Sequence, residues 1–417
     1  MSKQIDKNGI YMRVIPVITA MSLALAVGLF LLHGKREMPA EPAPAENPVE
    51  EKAWSSRGPE TDPVRYIHRS EVISGLKQEI DILEIDPGSP AVKIKPALSY
   101  DMIYGYEQLS KMAERANAFA AVNGGFFRDY GLPSGMVVID GELISKATGN
   151  YPVLIIRDGK AELKEINSRL SIVKAGGSYR HNDSRGTGSE AGTPAGSSTD
   201  GSGHMVISVA NINFPAAGNQ TIVYTPVYGR TNRADKRNIT ATVEGGIVTG
   251  IAEYEEEVPI PKDGMLISFF DVARYSAEEL PIKAGDAVEL IHEPDMTGDV
   301  QAYECGCWLV RDGVTVVKDS DPWVGVLTNR DPRTAVGIKE DGTVILLTVD
   351  GRQPGYSAGF TGKELAAYLI SCGAVDAAML DGGASTAMIV DGKLVNRPSY
   401  KGQEREIAGA ILVIRDR

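Results

Sequence analysis

Three stretches of the chain put a polar side chain where a buried-looking apolar run stops and glycine begins. Ala374–Val395 reads AVDAAMLDGGASTAMIVDGKLV, so the run Val375–Leu380 leads into Asp381-Gly382-Gly383 and then Ser385-Thr386. The run Ala118–Phe127 passes through Asn123-Gly124-Gly125, and a third run ends in Asp350-Gly351-Arg352. An ionised Asp directly after a buried strand is costly unless it is paired or put to use. Paired glycines remove the Cβ atoms that keep a ligand away from the main chain. Ser385 and Thr386 add two hydroxyls, and the whole reads as a candidate site for a polar ligand. Taken alone, Asp-Gly is also the commonest hairpin signal, and a tight turn is the plainer account of it.

Glycoside chemistry needs little more than carboxyl groups on either side of a sugar. If the strands that end at Asp350 and Asp381 are neighbours, both carboxylates lie at one sheet edge. Either then serves as acid, base or nucleophile. For Asp350, an ion pair with Arg352 two residues on fits equally well. Arg333 stands just before a strand in Asn329-Arg-Asp-Pro-Arg-Thr334. Its guanidinium suits bidentate contact with phosphate or carboxylate, whereas a surface pair with Asp331 would be worth little. Taken with the Asp-Gly edges and Asn-Gly-Gly, Arg333 points to a sugar that carries phosphate.

Other chemistries find less support. Of the five histidines, only His68 and His292 fall in regions expected to be structured. No Gly-x-Ser-x-Gly elbow is present, because Ser134 in Gly131-Leu-Pro-Ser-Gly135 is one place out of register. Gly362-Lys363 lacks the upstream glycine of a P-loop, and there is no dinucleotide fingerprint. Cys305, Cys307 and Cys372 are too few for a disulfide framework, and a bridge across Cys305-Gly306-Cys307 would be strained, so three buried thiols are expected. No cluster has zinc spacing. The expectation is no metal site and no required cofactor, although plentiful Asp and Glu leave room for a divalent cation such as calcium. A formal charge of −12 and a pI near 5.1 argue against nucleic acid as a partner.

The elements that must position these residues follow from pattern. Residues 1–9 read as a cytoplasmic N-terminus. Residues 10–32 are apolar except for Arg13 and long enough to span a bilayer. Lys3, Lys7 and Arg13 precede its core, so an N-in transmembrane anchor is expected, with the folded part outside the cytosol. A cleaved signal peptide is the alternative. Residues 33–65, rich in Pro, Glu and Ala, read as a stalk. From residue 66 to 417 short strands and Asp-Gly turns dominate. Helices are expected at Glu107–Asn117 and after the capping box Thr361-Gly-Lys-Glu364. Residues 176–204, low-complexity Gly, Ser and Thr, read as a mobile loop. The expected fold class is α+β, with large mixed or antiparallel sheets and a few packed helices, behind the N-terminal transmembrane helix.

These motifs resemble the phosphodiester glycosidase family. The matching pieces are Asn123-Gly-Gly-Phe-Phe127, Pro332-Arg-Thr-Ala-Val-Gly337, Asp350-Gly-Arg352, the helix Glu364–Cys372, Leu380-Asp-Gly-Gly383 with Ser385-Thr386, and Asn396-Arg-Pro-Ser399. The resemblance runs from about Tyr66 to the C-terminus. It implies hydrolysis of a glycosyl–phosphate diester; joined to the expected anchor, this makes a membrane-anchored, extracytoplasmic enzyme acting on a wall polymer, a capped glycan or a lipid-linked sugar. By resemblance, site roles fall on Asn123, Gly124, Gly125, Arg333, Thr334, Asp350, Asp381, Gly382, Gly383, Ser385 and Thr386. Asp381, Asp350 and Arg333 would be catalytic and the others would bind substrate. The stretch Glu304-Cys-Gly-Cys-Trp308 departs from the glycine-rich step usual before the next turn. The competing function is a non-catalytic envelope protein that binds glycan on the same fold.

Overall fold

The computed structural model describes residues 62–174, 197–199, 205–271 and 276–415. All belong to one compact unit, Val49–Arg417, the other unit being Met1–Pro48. The expected anchor at 10–32 and nearly all of the stalk lie outside the described residues. Among the described residues no helix is long and apolar enough to cross a membrane. Of the expected loop at 176–204, only Ser197–Thr199 is described. It is a short strand paired with Met205–Ile207.

The α+β expectation does not hold, because the fold is β-rich. Among the described residues there are two α-helices, Leu109–Arg115 and Gly362–Ser371, of seven and ten residues. Everything else regular is strand or a single 3-10 turn. The physical reason lies in the turns. Asp-Gly and Gly-Gly steps close hairpin after hairpin, so successive strands pair antiparallel and need no helix to cross over. In the five-stranded sheet that holds Thr221–Tyr224, the pairing with Asn211–Ile212 is parallel.

Two sheets matter for the site. The first has seven strands in the order Val64–Ile73, Leu76–Ile85, Val344–Val349, Arg333–Lys339, Ala374–Met379, Trp308–Arg311, Val314–Thr315, all antiparallel. The second has five, in the order Lys393–Leu394, Met388–Val390, Ala120–Asn123, Gly409–Arg415, Val92–Leu98. Strand alternation puts Val336, Val344, Leu346 and Leu83 into one core. It puts Ala335, Ile345, Leu347 and Val349 into another, under the helix residues Leu365, Ala366 and Leu369. The central strands are therefore covered on both faces and read as unbroken apolar runs.

The helix Gly362–Ser371 carries the one crossover that shapes the site. It links Val344–Val349 to Ala374–Met379, which lie on either side of Arg333–Lys339. Thr361 caps it as the sequence implies: its Oγ1 accepts from Glu364 N at 3.2 Å, and Glu364 returns to the Thr361 amide at 3.0 Å. Gly373 ends it at φ +92°. Because the flanking strands run parallel to each other and antiparallel to the middle one, Asp350, Asp381 and Arg333 all emerge at one end of the sheet. The strands that end at the two aspartates are not neighbours, since the strand of Arg333 lies between them.

Candidate active site

The sheet end is stitched together by Asn123. Its Nδ2 donates to the Asp381 carbonyl at 2.6 Å. Its Oδ1 accepts from Thr334 Oγ1 at 2.7 Å and from the Ala387 amide at 3.2 Å. Thr386 Oγ1 lies 3.3 Å from Thr334 Oγ1, whose single proton goes to Asn123. All three side chains are buried. They join the two sheets and hold the Asp381 loop, and none of them faces solvent.

The Gly124-Gly125 pair is explained by packing as much as by ligand approach. A Cβ on Gly124 would sit 2.6 Å from the Tyr303 hydroxyl, and one on Gly125 2.6 Å from the Glu304 carbonyl. Burial raises the pKa of Tyr303 well above the ordinary phenol value, and the nearby charge of Asp381 adds to this. Here the departing segment Glu304–Trp308 crosses between sheets, with Cys305 N bonded to Pro152 O at 2.8 Å and Gly306 N to Met379 O at 2.6 Å.

Asp381 is the site's reachable carboxylate. Its side chain keeps 19% exposure. Its Oδ2 accepts from Ser385 Oγ at 2.5 Å and lies 3.5 Å from Arg405 Nη2. Burial raises its pKa, against the opposing pull of Ser385, Arg405 and the Gly382 amide. A carboxyl so placed binds its proton more tightly than an exposed one.

Around it stand guanidinium groups. Arg333 is 3% exposed and donates from Nε to the Phe360 carbonyl at 3.1 Å and from Nη2 to the Asn329 carbonyl at 2.9 Å. Burial weakens its hold on its proton, and Asp331 opposes that. The Asp331 carboxylate stands 3.6 Å from Arg333 Nη2 and takes Arg352 Nε at 2.7 Å. Arg352 therefore pairs with Asp331 and not with Asp350. A Cβ on Gly382 would meet the Pro332 carbonyl at 2.9 Å, and one on Gly383 the Arg352 guanidinium at 3.3 Å. Gly383, at φ +62°, is in the region glycine favours. The result is a glycine shelf with two guanidiniums and one carboxylate under its rim. Arg405 adds a third, and its Nε is buried without a partner among the described residues.

Asp350 is placed at the same sheet end but is fully engaged. It is 1% exposed. Its Oδ1 accepts from Asn396 Nδ2 at 2.9 Å, and its Oδ2 from the Arg397 amide at 2.8 Å and Tyr356 OH at 3.3 Å. Burial outweighs these bonds and lifts its pKa to about 6. Asn396 in turn bonds the Met388 amide and the Thr386 carbonyl. Asp350 thus fixes the segment that brings Arg397 and Ser399 toward the shelf. A polar row completes the floor: Asp81, Thr348 and Thr334 are directly opposed across three strands. His68 and Tyr66 both bond Asp81 from the edge strand.

Sequence reasoning missed Arg405 and Tyr303, and the alternative ion pair of Arg352 with Asp350 is not formed. For Arg397 and its neighbour Asn396 a signal existed, because Asn396-Arg-Pro-Ser399 was among the matching motifs. Among the described residues no group of three His, Cys, Asp or Glu is arranged to hold a metal. His292 does meet Ser168, at 2.9 Å, but its Nδ1 has no partner among the described residues and burial takes its pKa down to about 4. Without an acid to orient the ring, this pair is no hydrolase triad. A larger cavity, about 890 Å³, opens by Lys95 and Arg115, but those cations are already paired with Asp140 and with Asp101 and Glu107.

The fold has known counterparts. A hypothetical protein from Synechocystis superposes with TM-score 0.66 at 22% identity, over 89% of this chain and 64% of that one. Residues 237–414 match the family model described as phosphodiester glycosidase. The resemblance drawn from the motifs is borne out over that range, which holds every candidate residue except Asn123, Gly124 and Gly125. A prophage-derived uncharacterized protein of Bacillus subtilis is 30% identical over 160 residues, 36% of this chain and 24% of that protein. The bovine N-acetylglucosamine-1-phosphodiester alpha-N-acetylglucosaminidase is 31% identical over 119 residues, 25% of this chain and 22% of that protein. The chain thus spans about a quarter of each of these two relatives.

Proposed function

We propose that this chain hydrolyses a glycosyl–phosphate diester, with Asp381 as the proton-transferring or nucleophilic carboxylate. The observation that carries the reading is the shelf itself: a mostly buried but reachable carboxyl of raised pKa beside a glycine pair flanked by arginines. Water cleaves the bond between the sugar carbon and the phosphate oxygen, giving free sugar and a phosphate monoester. A diester carries one negative charge and the monoester gains a second. On this reading Arg352 and Arg405 meet that charge directly while buried Arg333 adds its positive field from beneath Gly382, and fixed cations there lower the barrier. Asp381 either protonates the departing phosphate oxygen or takes a proton from the attacking water. Gly382 and Gly383 let the phosphate approach the main chain. Asp350, with all its bonds committed, serves as a positioning group for Asn396 and Arg397. The apolar stretch at 10–32 supports a workplace outside the cytosol, and a cell-envelope glycan is then the substrate within reach. No step here calls for a cofactor.

The test is release of free reducing sugar from a panel of sugar 1-phosphate methyl diesters. Asp381→Asn should lower turnover by about a thousandfold, within the range for a lost acid–base group, while the variant keeps the wild-type unfolding midpoint. A folded protein that binds such glycans but releases no sugar from any member would establish the non-catalytic reading instead.

A further inference from the structure

A second constellation lies beside the shelf and takes no part in the chemistry above. It is a cavity of about 310 Å³ with Tyr151, Cys307, Trp308, Lys318 and Asp321 in its lining. That is near the lower end for small-ligand sites, roughly 300 Å³, and matches one sugar ring better than a long chain.

Its aromatic walls are fixed in advance. The Tyr151 ring stacks on Trp323 with centroids 4.0 Å apart and planes 22° from parallel. Trp308 is held at one edge by its Nε1–H bond to Glu165, 2.9 Å, and on one face by Arg311, 5.0 Å from the ring centre. Rings that need no reordering cost a ligand little on entry. The polar groups are only partly used. Asp321 Oδ1 accepts from the amides of Trp323 and Val324 at 2.8 and 3.0 Å. Its Oδ2 and Lys318 Nζ have no partner among the described residues, which leaves an acceptor and a donor at the cavity. Their charges balance, and so do those of Glu165 and Arg311, 3.9 Å apart. A charge-neutral lining with aromatic walls and free hydrogen-bonding groups suits a neutral sugar, which has apolar C–H faces and a hydroxyl edge. It does not suit a phosphate.

Several contacts tie the cavity's lining to the elements of the active site. Leu327 lines it, and two residues on the Asn329 carbonyl takes Arg333 Nη2. The Cys307 thiol, on its wall, feels the Arg333 charge. Phe126, next after Gly125, lies 5.8 Å from Trp323.

We propose that this cavity is a sugar subsite, holding a neutral ring of the glycan next to the unit joined through phosphate. The inference rests on reading the Asp381 shelf as a glycosyl-phosphodiester site, but its test needs no turnover. The full chain is titrated with phosphate-free mannotetraose and with the β-linked N-acetylglucosamine tetramer, and tryptophan fluorescence is followed. At least one should give a saturable change. Lys318→Ala, an exposed position, should weaken it about tenfold, as loss of one charge-assisted hydrogen bond implies, and Trp308→Leu should abolish it. No saturation with either sugar overturns the proposal, as does saturation that survives Lys318→Ala. A signal lost in Arg352→Ala but kept in Lys318→Ala places the sugar on the shelf and overturns it too. Absence of sugar release from the diester panel would strike the catalytic reading alone, because saturable binding is read separately.

Discussion

At the scale of single residues, burial decides what each candidate can do. Asp381 and Asp350 both follow apolar strands and both have raised pKa values, yet Asp381 keeps solvent access and Asp350 does not. The difference lies in what surrounds them: Asp350 has Asn396, Arg397 and Tyr356 on its oxygens, and Asp381 has a hydroxyl and a loose arginine. This has a consequence for stability against pH. Asp350 has a folded pKa of about 6 against an ordinary value of 3.8. The folded state therefore binds its proton more tightly than the unfolded chain does. The stabilisation from that proton is complete below about pH 4 and is lost as pH rises through about 6, on the order of 3 kcal/mol in all. Urea unfolding of wild type and Asp350→Asn between pH 4 and 7 should show the wild type losing that advantage over the variant. A difference between the two proteins that stays constant with pH would sink the argument.

Elements set the geometry that no single residue could. The crossover through Gly362–Ser371 is what places Arg333 between the two aspartates, and its start depends on the Thr361–Glu364 reciprocal cap. Glu364 also takes Arg330 and Ser74, so the cap ties the helix to two loops. Thr361→Ala should lower unfolding free energy by about 1 kcal/mol, seen as a reduced urea midpoint at unchanged slope. The helix start lies against Phe360, whose carbonyl holds Arg333 Nε. The same variant should for that reason raise KM for a diester substrate more than it lowers kcat. These elements were largely legible in advance. The helix after Thr361 begins where the capping box put it. The strand Val64–Ile73 was not so legible, because as an edge strand it carries His68, Arg69 and Glu71 among its apolar residues, which blurs the alternation. Ser276 caps only one 3-10 turn, Ala277–Glu279. Capping chemistry was present there without an apolar stripe long enough to extend it.

At the scale of the molecule, the thiols show how far sequence reaches. Three free cysteines were expected and are found: Cys305 buried, Cys307 and Cys372 partly so. Burial pushes the pKa of Cys305 and Cys307 up to about 12, which leaves little thiolate at neutral pH. A thiol-reactive chromophore should label all three rapidly in denaturant and Cys305 only slowly in the native protein, with no change in stability on adding reductant. Fast native labelling of Cys305 would contradict its burial. By itself the sequence determined the strand-rich pattern, the turn positions, the helix cap, the free thiols and the glycine-flanked polar steps, because each depends on residues within a few places of one another. It overstated the helices, because local signals do not reveal how little of the chain continues them. Only the tertiary structure decided that Asn123 is a staple, that Arg352 serves Asp331, that Arg405 reaches Asp381 and that Asp350 is sealed from solvent. Each of those depends on which strands become neighbours, and burial, which fixes charge and access, comes into being only once the sheets have packed.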